Sequence, residues 1–284
     1  MSRVKVKDIL QHATEHHYGV AAVNTINVET ARYIIQAAER EQVPVIVQFF
    51  PGFHKYMSLK HLAFAACDMA DRASVPVGVH LDHSAGYEIA VGGIRDGFPS
   101  IMVDGSSLPF EENVQLTRDV VKVARIFDID VEAELGHVGS GKNLDDIVNS
   151  DYYTNVEQAV NFVQETGCDS LAIAVGNAHG PYVKVPNLDF DRIKEIRSKI
   201  EIPLVMHGSS DIPEEQLKEA VNLGMSKFNV ATEYFRCMYR SLEKRIQDQT
   251  FDGNGTALMF DIEEEMIEFV RQKIRLLNPN KFSL

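Results

Sequence analysis

Short runs of apolar, often β-branched residues alternate along the chain with longer stretches whose apolar positions recur at i, i+3 and i+4. The eight short runs cover residues 19–24, 43–49, 75–81, 100–104, 130–135, 170–175, 202–207 and 227–230. Some are apolar almost throughout, as in Val43-Pro44-Val45-Ile46-Val47, which suits parallel strands covered on both faces. Pro44, Pro76 and Pro203 stand early in their runs, where a strand tolerates a missing donor. The longer stretches predict helices over 28–41, 59–73, 87–95, 112–127, 156–166, 189–199, 213–223 and 231–248. Val114, Thr117, Val121 and Ala124 mark the buried stripe of the fourth. Gly97, Gly167 and Gly224 fall near helix ends, where a left-handed cap is favoured. Strands and helices alternating in this way predict an α/β fold, a single (β/α)8 TIM barrel. An extra C-terminal helix is expected over 262–276, after a loop at 250–255.

The length of 284 residues fits one barrel domain spanning residues 1–284, close to the roughly 250 typical of this fold. A net charge of -13 argues against a nucleic-acid surface, because phosphate backbones are bound by Lys and Arg. Any anionic substrate must then be held by local donors. Cys67, Cys168 and Cys237 are isolated and form no Cys-x-x-Cys pair, so a reducing, cytoplasmic setting is expected. No apolar run follows the positive charges of residues 1–7, and nowhere do 18 apolar residues run together, so neither a signal peptide nor a membrane span is expected.

The active site of a TIM barrel lies at the C-terminal ends of its strands. Those ends carry Asn24, Gln48, Asp82, His83, Asp104, Glu134, His179, His207 and Asn229. His83, His179 and His207 are candidate metal ligands, since three neutral imidazoles leave one position of a catalytic zinc open. Asp82 alternates away from His83 along an ideal strand, which suits it to acid/base work. Glu134, at a buried strand end, is expected to support the site or to serve as an alternative metal ligand. His80 is expected to be buried and bonded; His137, following Glu134-Leu135-Gly136, is within reach of the site but is expected to have a loop or supporting role. Gly208-Ser209-Ser210 and Asn229-Val230-Ala231-Thr232 follow the seventh and eighth runs, where barrels frequently hold phosphate. Gly180 joins that group.

Seven stretches, His80-Leu81-Asp82-His83, 102–106, 108–113, 131–136, Gly176-Asn177-Ala178-His179-Gly180-Pro181-Tyr182, 207–210 and 229–233, lie along the chain. In this order they resemble the class II ketose-bisphosphate aldolases, the zinc-dependent fructose- and tagatose-bisphosphate enzymes. The resemblance implies Zn2+ on His83, His179 and His207. It implies a dihydroxyacetone-phosphate moiety held by Gly180, Gly208, Ser209, Ser210, Asn229, Val230, Ala231 and Thr232. It also implies Asp82 as proton carrier at the C4 oxygen and Asn229 as a support for the enediolate, with Glu134 in the catalytic set. A monovalent cation, Na+ or K+, and a homodimer or homotetramer acting on a small-molecule sugar phosphate belong to the same implication.

Three departures stand out: one falls on the loop acid that, by the resemblance, moves the C3 proton, and two concern the end of the substrate that becomes the aldehyde. Lys142 stands near the position of the family's loop Glu, with Asp145 and Asp146 nearby as substitutes. Asp261-Ile262-Glu263 replaces a Pro-Ala-Arg whose Arg receives the distal phosphate, and Arg271, Arg275 and Lys142 are the remaining candidate cations. Phe49-Phe50-Pro51-Gly52-Phe53 makes one sector of the rim apolar. The expected reaction is retro-aldol cleavage of a ketose 1-phosphate or 1,6-bisphosphate, with an unphosphorylated aldehyde partner as the alternative. The rival classes are a zinc hydrolase, a non-catalytic sugar-phosphate-binding subunit and a Schiff-base aldolase using Lys227.

Overall fold

The computed structural model describes residues 2–248 and 257–284. Eight parallel strands close into a barrel in sequential order. They are β1 (Val20–Asn24), β2 (Val45–Phe49), β3 (Val77–Ser84), β4 (Ser100–Val103), β5 (Asp130–Leu135), β6 (Ser170–Ile173), β7 (Leu204–Met206) and β8 (Met225–Val230). Closure is made by β1 on β8, with Val20 opposite Lys227 and Val23 opposite Val230. Almost every strand residue is buried, as a sheet covered by helices outside and filled by side chains inside requires.

The helices are α1 (Val6–Glu15), α2 (Val28–Glu41), α3 (Leu59–Arg72), α4 (Tyr87–Asp96), α5 (Phe110–Ile126), α6 (Leu144–Val148), α7 (Val156–Thr166), α8 (Phe190–Lys199), α9 (Glu214–Asn222), α10 (Thr232–Gln247), α11 (Leu258–Asp261) and α12 (Glu263–Leu277). The expected eight are present. Val6, Ile9, Leu10 and Ala13 of α1 pack with Val20, Ala22 and Ile46, so an added helix plugs the N-terminal end of the barrel. The expected C-terminal helix is α12, which lies along α2. Its expected lead-in loop, 250–255, is outside the described residues.

Two expectations about that helix change. Arg271 Nε and Arg275 Nη2 each lie 2.7 Å from Glu41 Oε1, and Lys281 Nζ lies 3.0 Å from its other oxygen. Glu41 is the last residue of α2, just before β2, so these cations are held at the end of the barrel opposite the strand C-termini. They are not free for a substrate anion. Glu263, one of the acids standing where a phosphate-binding arginine was sought, receives both ends of the Arg32 guanidinium at 2.8 and 2.9 Å.

Candidate active site

Asp82 and His83 do not point apart. The pairing of β3 with β4 shifts register between Leu81 and Ser84, and His83 takes φ 46°, a left-handed conformation costly for a residue with a Cβ. The irregularity breaks strand alternation, and both side chains enter one cavity of about 540 Å³ at the C-terminal mouth of the barrel.

His83, His179 and His207 meet there: one ring nitrogen of each lies within 4.8 Å of the others. Each ring is aimed by a bond on its opposite nitrogen, as metal-ligating histidines are. His83 Nδ1 is 2.9 Å from Asp104 Oδ2, which is itself fixed through the carboxylate's other oxygen by Ser106 Oγ at 2.7 Å. His179 Nδ1 is 3.0 Å from the Val138 carbonyl, and His207 Nε2 is 2.8 Å from Glu132 Oε1. Buried His179 Nε2, His207 Nδ1 and Glu134 Oε2 are left without a hydrogen-bond partner. Glu134 Oε2 is 3.1 Å from His207 Nδ1 yet misaligned for a hydrogen bond. Orphaned buried polar atoms around one point, with a nitrogen-rich donor set, fit a divalent metal of the zinc type.

The local fields differ sharply. Burial lowers His179 to about 4, helped by the neighbouring His83 and His207. Burial also opposes charge on His207, but the Glu132 and Glu134 carboxylates outweigh it and hold the ring up at about 10. Asp82 is buried, which works against ionisation, yet His83, His207 and Lys227 bring its carboxyl below the usual range. Asn24 Nδ2 donates to Asp82 Oδ2 at 2.9 Å and Asn229 Nδ2 to Oδ1 at 3.1 Å.

The opposite wall is built from chain turns and a helix end. Gly180, Gly208, Ser210, Asn229, Ala231 and Thr232 line the cavity. At φ 61°, Gly208 passes so close to the Ala178 carbonyl that a Cβ would sit 2.1 Å from its oxygen. Tyr182 Oη accepts the Ala178 N–H at 2.7 Å and donates to the Gly208 carbonyl at 2.9 Å, joining the loops after β6 and β7. Ala231, the N-cap of α10, has no side-chain acceptor to offer the first-turn N–H groups, and such a helix end favours anions. Two of the expected residues do not line this wall. Ser209 is buried, its Oγ donating to the Met206 carbonyl and its N–H to that of Asn229. Val230 packs into the core.

Phe50, Phe53 and Phe235 form the remaining wall, with Phe53 edge-on to both of the others. Phe49 instead packs on Phe98 in the core. No Lys or Arg is among the described residues lining the cavity. Lys227 is fully buried below it, 2.7 Å from Glu132 Oε2, which removes it from a Schiff-base role.

Glu132 was missed as part of the site, and Lys227 was weighed only as a Schiff-base lysine and not as the partner of Glu132; the Val-Glu-Ala-Glu alternation of β5 was the available signal, since it puts Glu132 and Glu134 on one face. His80, as expected, is buried, with Nδ1 2.8 Å from Ser100 Oγ. Burial, reinforced by Lys227, lowers its ring to about 3. His137, expected in a supporting role, lines the cavity.

Residues 4–281 match the profile of the fructose-bisphosphate aldolase class-II family. The chain is 38% identical over 268 residues to the protein YdjI of Escherichia coli (strain K12), covering 94% of this chain and 95% of that one. The crystal structure of the YdjI aldolase from Escherichia coli K12 superposes with a TM-score of 0.86 at 34% identity, over 96% of this chain and 97% of the other. Fructose-bisphosphate aldolase (Fba) from Campylobacter jejuni gives a TM-score of 0.84 at 22% identity over 99% and 97% of the two chains, a likeness of fold alone. No helix among the described residues is long and apolar enough to cross a membrane. The chain belongs to the class II fructose-bisphosphate aldolase family, the metal-dependent aldolases.

Proposed function

We propose that the protein is a zinc-dependent aldolase that reversibly cleaves a ketose 1-phosphate of the fructose or tagatose type to dihydroxyacetone phosphate and an aldehyde that needs no phosphate of its own. The observation that carries this reading is the convergence of three aimed imidazoles beside the fixed carboxylate of Asp82, facing the end of α10. Zinc held by His83, His179 and His207 would supply Lewis-acid polarisation of the ketose carbonyl.

The residues of the chain account for the rest. Asp82, kept ionised and clamped by two carboxamides, takes the proton of the C4 hydroxyl as the C3–C4 bond breaks. Asn229 spends one amide hydrogen on Asp82 and keeps the other for the enediolate oxygen. Glu134 supports the metal-facing side of His207. The C1 phosphate fits the backbone and hydroxyl donors of Gly180, Gly208, Ser210, Ala231 and Thr232. At the aldehyde end the three phenylalanines offer apolar surface and no cation, which supports an uncharged partner over a second phosphate.

Substitution separates these roles: Asp82→Ala should retain zinc and lose turnover, whereas His83→Ala should lose both. A His83→Ala protein with full zinc content and full turnover contradicts the reading. A homodimer or homotetramer and an Na+ or K+ requirement go with it, checked by light scattering and by assays in alternate salts.

A further inference from the structure

Between β5 and the end of α6 stand four ionisable side chains that are candidates for the proton at C3, namely His137, Lys142, Asp145 and Asp146. Lys142 is exposed and outside the cavity. Asp145 accepts the Tyr152 hydroxyl at 3.0 Å. Asp146 accepts the Ser140 N–H at 2.7 Å and Asn143 Nδ2 at 2.9 Å. Neither carboxylate lines the cavity.

His137 does, with its side chain half exposed. Its N–H donates to the Tyr152 carbonyl at 2.9 Å, and its ring stands edge-on to Tyr152 with centroids 5.2 Å apart. Its Nε2 lies 3.6 Å from Asp146 Oδ1, a carboxylate already fixed by two donors. Gly139 makes that placement feasible, because a Cβ there would sit 2.2 Å from Asp146 Oδ2. The loop is also zipped to the one carrying His179: Gly141 N–H donates to the His179 carbonyl at 2.7 Å, and His179 N–H to that of Gly139 at 2.8 Å.

We propose that His137, with the Asp146 carboxylate at ion-pair distance from its ring, is the catalytic acid and base at C3. The proposal rests on the aldolase reading above. In cleavage, Asp82 takes the C4 hydroxyl proton, the C3–C4 bond breaks, and its electron pair remains on the ketose fragment as an enediolate. Protonated His137 then gives its Nδ1 proton to C3, releasing dihydroxyacetone phosphate and leaving a neutral ring, and solvent carries a proton from Asp82 back to His137. In condensation, neutral His137 removes that C–H proton before the carbon attacks the aldehyde.

Deuterium exchange from solvent into the hydroxymethyl carbon of dihydroxyacetone phosphate, followed by NMR on the zinc-loaded enzyme without aldehyde, isolates this step. His137→Gln is expected to lose exchange at least about 100-fold, with zinc content and the Kd for dihydroxyacetone phosphate unchanged. Asp146→Asn should lose about tenfold, and imidazole added to His137→Ala should restore part of the exchange. Asp145→Asn and Lys142→Met should exchange at the wild-type rate. Exchange in His137→Gln within twofold of wild type, or the main loss appearing in Asp145→Asn or Lys142→Met, overturns the assignment. Wild-type protein that neither binds nor exchanges dihydroxyacetone phosphate overturns the aldolase reading itself, a distinct result.

Discussion

Glu132 Oε1 lies 2.8 Å from His207 Nε2, inside a barrel where both side chains are fully buried. The carboxylate's other oxygen pairs with Lys227, so a buried cation across the barrel anchors the acid that aims one candidate ligand. Burial disfavours the charge on Glu132, yet Lys227 and His207 hold its carboxyl far below the usual range. Glu132→Gln should therefore weaken zinc binding about 10–100-fold, read by competition with a chromogenic chelator. It should also cost about 3 kcal/mol, because Lys227 loses its partner in the interior.

Tyr182 tests the phosphate wall. Its hydroxyl satisfies the Ala178 N–H and the Gly208 carbonyl at once, so Tyr182→Phe frees two loops that must converge on one anion. KM for a ketose 1-phosphate should rise about tenfold, equivalent to about 1.4 kcal/mol, with kcat changed less. Steady-state kinetics decide it, and an equal fall in kcat with constant KM would place the hydroxyl elsewhere in the reaction.

The aromatic wall makes a prediction about specificity. Phe235 sits on the first turn of α10, edge-on to Phe53, where no Lys or Arg is among the described residues lining the cavity. Phe235→Arg should raise kcat/KM for fructose 1,6-bisphosphate relative to an unphosphorylated-end ketose by about tenfold, through a charge-assisted bond to the distal phosphate. Competition between the two substrates measures the ratio, and an unchanged ratio would remove this wall from control of the aldehyde end.

A stability prediction arises at the opposite end of the barrel. Asp130 is buried, and that burial, with Asp169 adding to it, holds its carboxyl up at about 6 from an ordinary 3.8. The protonated form is the one the fold favours. Its stabilising contribution is complete below pH 3.8 and is lost as pH rises through 6. Asp130→Asn should thus stabilise the protein at pH 7.5, by at most about 3 kcal/mol, and do almost nothing at pH 3.5. Urea unfolding at the two pH values checks both halves.

Much of this molecule was legible in its sequence for one physical reason: strands buried on both faces leave β-branched runs, and chemistry at their ends leaves polar residues right after them. His83, His179 and His207 stood out on that basis and do meet. What escaped depends on contacts distant in sequence. The left-handed turn at His83 is set by how β3 lies on β4, and it overrode the alternation that had separated His83 from Asp82. The Glu132–Lys227 pair spans the barrel, and the cations of α12 are claimed by Glu41 of α2. Ser209 has the composition of an anion-binding turn, but its backbone and hydroxyl are already spent on Asn229 and Met206. His137 gave no periodic signal, since only the course of the loop between β5 and α7 brings it to the cavity.

The most direct test of the central claim is dihydroxyacetone phosphate release from a panel of ketose 1-phosphates and 1,6-bisphosphates by purified protein, before chelation, after it, and after zinc is restored. The expected result is release from at least one monophosphorylated ketose, no preference for a bisphosphate, loss of about 100-fold or more on chelation, and recovery with zinc. Full activity in thoroughly chelated protein, or turnover confined to bisphosphates, would contradict it.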